Sequence, residues 1–364
     1  MSSLPGLAAA AHREWLDALR QAEEMLRGSA APATALDQAE GYRYLSRLAT
    51  TALWTFVENG DPLHPKLYCN SDAHMKYGVD NPDNLYLRCA LDPAHDYRLW
   101  GQRGEAPYLG ITVGGDFYGG SESVGTLAQH QLDEFSVAAD GSFELYLSAE
   151  ERPGNWIRLD PRARGMILRQ TFFDRDAQRP AQLSIERLGA AGPPAPLSPE
   201  ALAAGLRRAA AFVLGCTQLF LKMSASWARR PNQLLGAPGR ETRHLHGDPD
   251  IYYAPGYWRL APEEALVVEV TPAPRFLYWG FQLCNYWLES LDYETRAVAT
   301  NHQRAKAAHD GAARLIVAHQ DPGVPNWLDT AGHAEGAMCF RWLLAGDDPP
   351  LPQLSVVKFS ELRA

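Results

Sequence analysis

Tyr278-Trp279-Gly280, Asp310-Gly311 and Asn326-Trp327 echo Tyr108-Leu109-Gly110, Asp140-Gly141 and Asn155-Trp156 in the same order along the chain. The step from the motif glycine to the Asp-Gly pair is the same in both segments, Gly110 to Asp140 and Gly280 to Asp310. Farther on, Trp156 to Gly165 recurs as Trp327 to Gly336, and upstream Pro82-Asp83-Asn84-Leu85-Tyr86 is echoed by Pro249-Asp250-Ile251-Tyr252-Tyr253. Asp-Gly alone is only the favoured two-residue hairpin turn. Four matches in order indicate an internal duplication.

Working outward, the segments around these matches read as short runs rich in aromatic and β-branched residues. Turn clusters such as Asp92-Pro93, Gly114-Gly115 and Asp140-Gly141 separate them, which is a sheet pattern. It begins near Tyr86, and it returns from Ile251 to about Leu344. Trp15, Leu19, Ala22 and Leu26 recur at helical spacing in the first stretch. Thr34 is placed to cap a second helix in which Tyr42, Leu45, Ala49, Ala52 and Phe56 share a face, with a left-handed stop at Asn59-Gly60. Ser198-Pro199-Glu200 opens a long helix that Pro231 terminates, apolar on two faces as if wedged between layers. The expected fold is therefore mainly β with accessory helices (α+β), two related β-sandwich or jelly-roll-like modules joined by a long helix. The boundaries read as a helical segment over 1–62, a first β module over 63–188, a connector with the long helix over 189–243 and a second β module over 244–364.

The chain has 364 residues, of which 46% are apolar and 21% charged, a balance that fits folded domains with a sizeable core. With a net charge of −9 it lacks the basic stripe that releases counterions from nucleic acid. The five cysteines are odd in number and widely spaced, without CxxC, so neither a disulfide framework nor a thiolate zinc site is expected. No secretory leader is legible at the start, and the longest apolar run, Ala209 to Leu221, falls short of a bilayer span of about 20 residues. A cytoplasmic protein with a small-molecule ligand, no membrane span and room for homo-oligomerisation is the expectation.

Phe276-Leu277-Tyr278-Trp279-Gly280-Phe281, Asp310-Gly311 and Pro325-Asn326-Trp327-Leu328 resemble the bacterial family known as domain of unknown function 1214, over roughly the last third of the chain. The resemblance implies a β-rich, jelly-roll-like domain, often preceded by another β domain, and no established chemistry. The chain departs from the family pattern after Leu328, where Asp329-Thr330-Ala331-Gly332-His333 replaces a Pro-rich turn.

Three sets of residues are candidates for chemistry. His244, His246 and Asp248 alternate, so on an extended strand they would face one divalent transition metal, with His319, His333 or Glu289 as a distant ligand. Glu289 and Asp292 follow an aromatic strand, and Asp292 falls at the repeat offset from Glu122; paired acids of this kind suit general acid/base catalysis. Tyr253, Trp258, Tyr286 and Trp287 are aromatics in excess of strict alternation and suit a pocket wall for a sugar ring or apolar ligand. Asn155-Trp156 and Asn326-Trp327 read instead as scaffold corners. GxGxxG, GxxxxGK, HExxH and GxSxG are all missing. The first expectation is an enzyme acting on a small uncharged or carbohydrate-like molecule between the modules, by acid/base or metal-assisted chemistry. The competing one is a ligand-binding protein with an aromatic-lined pocket.

Overall fold

A computed structural model describes residues 4–115, 124–189 and 192–363. Two helices open it, α1 (Leu4–Arg27) and α2 (Ala35–Leu53), the latter capped by the Thr34 hydroxyl on the Asp37 amide. The first module follows with β1 (Tyr68–Cys69), β2 (Asn84–Ala90), β3 (Tyr97–Gln102), β4 (Tyr108–Gly114), β5 (Thr126–Gln131), β6 (Ser142–Ser148), β7 (Trp156–Arg158), β8 (Gly165–Thr171) and β9 (Gln182–Arg187). The long helix α3 (Pro199–Trp227) leads to the second, with β10 (Gln233–Leu234), β11 (Ile251–Arg259), β12 (Glu264–Val270), β13 (Tyr278–Leu283), β14 (Ala299–Asn301), β15 (Ala313–Ala318), β16 (Trp327–Asp329), β17 (Glu335–Leu343) and β18 (Gln353–Lys358).

The duplication is visible in the topology. The first module pairs its strands as β1-β2-β8-β4-β5 and β7-β6-β3-β9, and the second as β10-β11-β17-β13-β14 and β16-β15-β12-β18. Adding nine to each label of the first module gives the second. Even the parallel exceptions agree, β6 with β7 and β15 with β16. Within each module the two sheets close on an apolar core by strict alternation. Leu109, Ile111 and Val113 of β4 point inward with Leu99, Leu145 and Leu168; Trp279, Phe281 and Leu283 of β13 point inward with Leu266, Leu315 and Phe340.

The Asn-Trp pairs make the corners expected of them. Asn326 donates to the carbonyls of Lys306 and Arg314 at 2.9 and 3.0 Å and accepts from the Lys306 amide at 2.7 Å, while the Trp327 indole donates to the Ala318 carbonyl at 3.0 Å. Asn155 and Trp156 repeat this with Ser136, Glu144 and Ser148. Each amide pins the loop that turns the chain into its parallel strand. Asn326 also sits at φ 62°, where asparagine and glycine are tolerated best. Asn326→Ala is expected to lower unfolding stability by about 2 kcal/mol in a denaturant titration, from three lost hydrogen bonds and a left-handed alanine, with Asn326→Gly recovering the backbone share.

The helices sit against the outer face of the second module. Its buried Tyr257, Cys284, Tyr286 and Trp287 share one apolar cluster with α1, α2 and α3. α3 is apolar and long enough to cross a membrane by length and composition, and in this fold it packs on α1 along one side. Two details differ from the sequence reading. The buried face of α2 is Asp37, Glu40, Gly41, Tyr44, Leu48, Thr51 and Ala52, with Tyr42 exposed, and the helix runs into a π-helical turn (Trp54–Glu58), with Asn59 at φ −124° rather than left-handed. An apolar-stripe reading missed that face because it buries two carboxylates.

Those carboxylates form a clasp. Glu40 accepts from Arg43 at 2.7 Å, from Asn285 at 2.9 Å and from His333 Nε2 at 2.8 Å, and Asp37 lies 3.9 Å from the same imidazole. Asn285 also bonds Glu289, which pairs with Arg47 of α2 at 3.0 Å. Trp287 stacks beside Tyr44, donates to the Asp37 carbonyl at 2.9 Å, and presses on Gly41, where a Cβ would come within 2.5 Å of the indole.

Candidate functional site

The two modules meet by exchanging equivalent contacts. Asn81, Asp83 and Tyr86 stand 167 positions before Asp248, Asp250 and Tyr253, and each set folds alike. The Asn81 and Asp248 amides donate to the Tyr86 and Tyr253 hydroxyls at 3.0 and 2.9 Å. The Asp83 and Asp250 amides donate to the side chains of Asn81 and Asp248 at 3.1 and 2.9 Å. Val79 and His246, also 167 apart, are both left-handed, at φ 61° and 57°.

Across the seam, the β4 tyrosine reaches the second module's loop, and the β13 tyrosine reaches the first's. Tyr108 lies 2.8 Å from Asp248 and 2.9 Å from Asp250; Tyr278 donates to Asp83 at 2.7 Å. The glycine two residues on makes room for each ring, since a Cβ at Gly110 or Gly280 would fall 2.7 or 2.0 Å from the tyrosine preceding it. The strand register then sets Arg169 opposite Gly110 and Arg341 opposite Gly280. Arg169 donates to Thr112 at 2.6 Å and to the His246 carbonyl at 2.8 Å, while Arg341 donates to Gln282 and to the Val79 carbonyl. This is the self-complementary logic of a two-fold dimer, carried out within one chain.

The seam borders a partly open cavity of about 460 Å³. One wall is polar and comes from the facing strands, with Tyr86, Arg88 and Arg169 from the first module and Tyr253, Cys339 and Arg341 from the second. The opposite wall is the apolar flank of α3, with Leu219, Phe220, Met223 and Trp227. The rim includes the 3₁₀ helix Gly239–Leu245 and the His246-Gly247 turn. Arg88, Arg169 and Arg341 are all buried, and Arg88 stands beside the Tyr77 hydroxyl. Asp80 also lines the cavity; burial pushes its carboxyl up, while Lys76 and two bonds from Ser290 favour its charge. Burial likewise raises Asp248 against the pull of Arg169. All five cysteines are free thiols, and burial pushes Cys339 up, as expected for an inert buried sulfur.

The structure brings His244, His246 and Tyr253 together on the lining of this cavity and places the other described candidates elsewhere. His244, His246 and Asp248 do not alternate on a strand: His244 ends a 3₁₀ helix and is exposed, His246 is left-handed, and Asp248 faces Tyr108 and the Asp250 amide. Gly247 and Pro249 break the extended run that metal binding required. Among the described residues no group of three His, Cys, Asp or Glu side chains could hold a metal ion. His319 bonds Thr330 and His333 bonds Glu40, both remote from that loop. Glu289 belongs to the α2 clasp, whereas Asp292 is exposed and caps its own turn through Thr295 and the Glu294 amide. The two acids face different partners and neither lines the cavity. Glu122 lies outside the described residues. Tyr253 lines the cavity; Trp258 is sealed inside the second sandwich with its indole on the Ala337 carbonyl, and Tyr286 and Trp287 pack under the helices.

What sequence reading missed are Arg88, Arg169 and Arg341. The signal existed, because an arginine inside a run such as Met166-Ile167-Leu168 or Met338-Cys339-Phe340 is rare in a buried strand. Arg169 follows Gly165 by four residues and Arg341 follows Gly336 by five, and that slip hides their equivalence until the register is known.

Fold and seam together define a class: a tandem β-sandwich protein whose two modules exchange equivalent contacts across a seam that borders a cavity. The chain belongs to the same family as an uncharacterised protein from Burkholderia cenocepacia, to whose crystal structure it is 40% identical with a TM-score of 0.94, covering 99% of this chain and 100% of that one. The VPA0106 protein from Vibrio parahaemolyticus shares the fold at 14% identity and a TM-score of 0.51, over 87% of this chain and 98% of that one. No family model and no curated protein matches the sequence.

Proposed function

We propose that the protein binds a small organic molecule in the cavity between its modules, and that this site serves ligand binding rather than acid/base or metal-assisted catalysis. The observation that carries the reading is the partly open cavity itself, with its volume of about 460 Å³, one apolar helical wall and one wall of buried polar side chains. That volume and division suit a small ligand held by apolar contact and oriented by a few polar groups. Catalysis loses support because Glu289 and Asp292 are committed elsewhere, and because the buried acid on the cavity wall, Asp80, is held by Ser290, leaving Glu241 at the exposed rim. A resemblance to the family of domain of unknown function 1214 adds no chemistry to this reading.

The test uses N-phenyl-1-naphthylamine, an uncharged probe that fluoresces in apolar surroundings. Its emission is expected to rise in a saturable, one-to-one manner with the intact chain and to lose that response in Leu219→Trp/Met223→Trp, which fills the apolar wall. Circular dichroism of the variant checks that the fold is kept. Undiminished saturable binding by the filled, folded variant would sink the reading.

A further inference from the structure

We propose that the molecule held between the modules is a monoanion with an apolar body, a carboxylate whose oxygens are taken by Arg169 and Arg341; this rests on the ligand-binding reading above. Burying a guanidinium is costly unless its charge is met, and a structural role alone is better served by an apolar side chain of similar size. Here the cost is incurred at equivalent positions of both modules. Among the described residues neither Arg169 nor Arg341 makes an ion pair. Their hydrogen bonds go to a hydroxyl, an amide oxygen and two backbone carbonyls, which are neutral acceptors.

Asp248 attracts Arg169, and Asp80 attracts Arg341, across space, but the hydrogen bonds of both carboxylates go to other groups. Asp80 is the buried acid on the cavity wall, and both of its oxygens accept from Ser290, at 3.0 and 2.7 Å. Lys76, buried beside it, offsets its charge. Asp248 turns one oxygen to Tyr108 and the other to the Asp250 amide. The cavity wall thus carries the buried Arg169 and Arg341 against one buried carboxylate already engaged, with Glu241 exposed at the rim.

The donors are suited to the task. A guanidinium has five N–H groups in a planar fork that matches the two oxygens of a carboxylate, and the bonds above use two donors on each arginine. One carboxylate oxygen for each guanidinium completes the set, which is why a monoanionic carboxylate is the head group assigned. The apolar flank of α3 opposite takes the rest of the molecule.

The experiment measures displacement of N-phenyl-1-naphthylamine from the full chain by octanoate, octanamide and octyl phosphate at neutral pH. Octanoate is expected to compete at least about tenfold better than octanamide, the difference between a charge-assisted and a neutral hydrogen-bonded head. It is also expected to outcompete octyl phosphate, and Arg169→Met or Arg341→Met should narrow the acid-to-amide ratio towards one. If those variants do not fold, the ratio on the intact chain decides alone. Equal competition by octanoate and octanamide overturns the anion assignment while leaving the cavity reading in place, and stronger competition by octyl phosphate overturns the carboxylate. No displacement by any of the three overturns the proposal, and the filled variant then judges the cavity reading separately.

Discussion

His333→Ala is expected to destabilise the chain by about 3 kcal/mol or more, because it leaves Glu40 and Asp37 buried without the cation between them. Both imidazole nitrogens face oxygen acceptors, Glu40 at 2.8 Å and the Thr330 carbonyl at 3.1 Å, an arrangement that only the doubly protonated ring satisfies. Burial alone would lower the His333 pKa, but the bond and charge of Glu40, with Asp37 behind it, raise it above the ordinary value. Glu40 is the converse: burial pushes it up, and His333, Asn285 and Arg43 bring it below the usual range.

The sign of the pH dependence follows from those directions. A raised histidine contributes stability that is complete below its unfolded value of about 6.5 and is lost as pH rises through the folded value. A lowered glutamate contributes above its unfolded value of about 4.3, and its share is lost as pH falls through the folded one. The clasp is therefore strongest in mild acid. Asp37 and Glu289, both raised chiefly by burial, add to the decline on the alkaline side. The stability gap between wild type and His333→Gln, measured by urea titration, should be widest between these limits and shrink as pH climbs past the raised histidine value. A gap that does not change with pH would mean that the ring is neutral and merely packs.

Gly280→Ala is expected to cost about 3 kcal/mol, more than an ordinary strand substitution, because its Cβ would fall 2.0 Å from the Tyr278 hydroxyl oxygen. The ring is buried and latched to Asp83, so it cannot move aside without breaking the seam. A double-mutant cycle identifies the mechanism. If the ring is the obstacle, Tyr278→Ala should remove most of the additional cost of Gly280→Ala, giving a strongly non-additive pair. Additive effects would place the strain in the backbone instead. Gly110→Ala should behave likewise through Tyr108, and less severely, since its nearest approach is 2.7 Å.

The fold was legible wherever local turn chemistry carried it. Asn326-Trp327 and Asp310-Gly311 hold their shapes through short-range hydrogen bonds, so their recurrence in sequence translated into recurrence of corners and hairpins. The site was not legible, for two physical reasons. Its arginines lie on strands whose register is set by pairing across the sheet, so a slip of one residue between the copies conceals their equivalence. The histidine and acid string drew attention because alternation on an extended chain would align it, yet a left-handed residue at His246 and the proline at Pro249 turn the chain between the supposed ligands. Glu289 and Trp287 looked like pocket chemistry because polarity beside aromatics is the usual mark of a site; here a helix needed both to dock.

The exchange of equivalent contacts across the seam also bears on how a molecule can lie within it. In a true homodimer every substitution on the axis appears twice, and a pocket there presents the same groups to either end of its guest. Carrying both copies on one chain removes that constraint. Asp83 has acquired Arg304 as a partner at 2.8 Å and Asn301 at 2.9 Å, whereas Asp248 and Asp250 share one phenol, and α3 walls the cavity with no counterpart from the other copy among the described residues. The cavity therefore presents different groups at its two ends, and the ligand proposed for it would lie in one preferred direction.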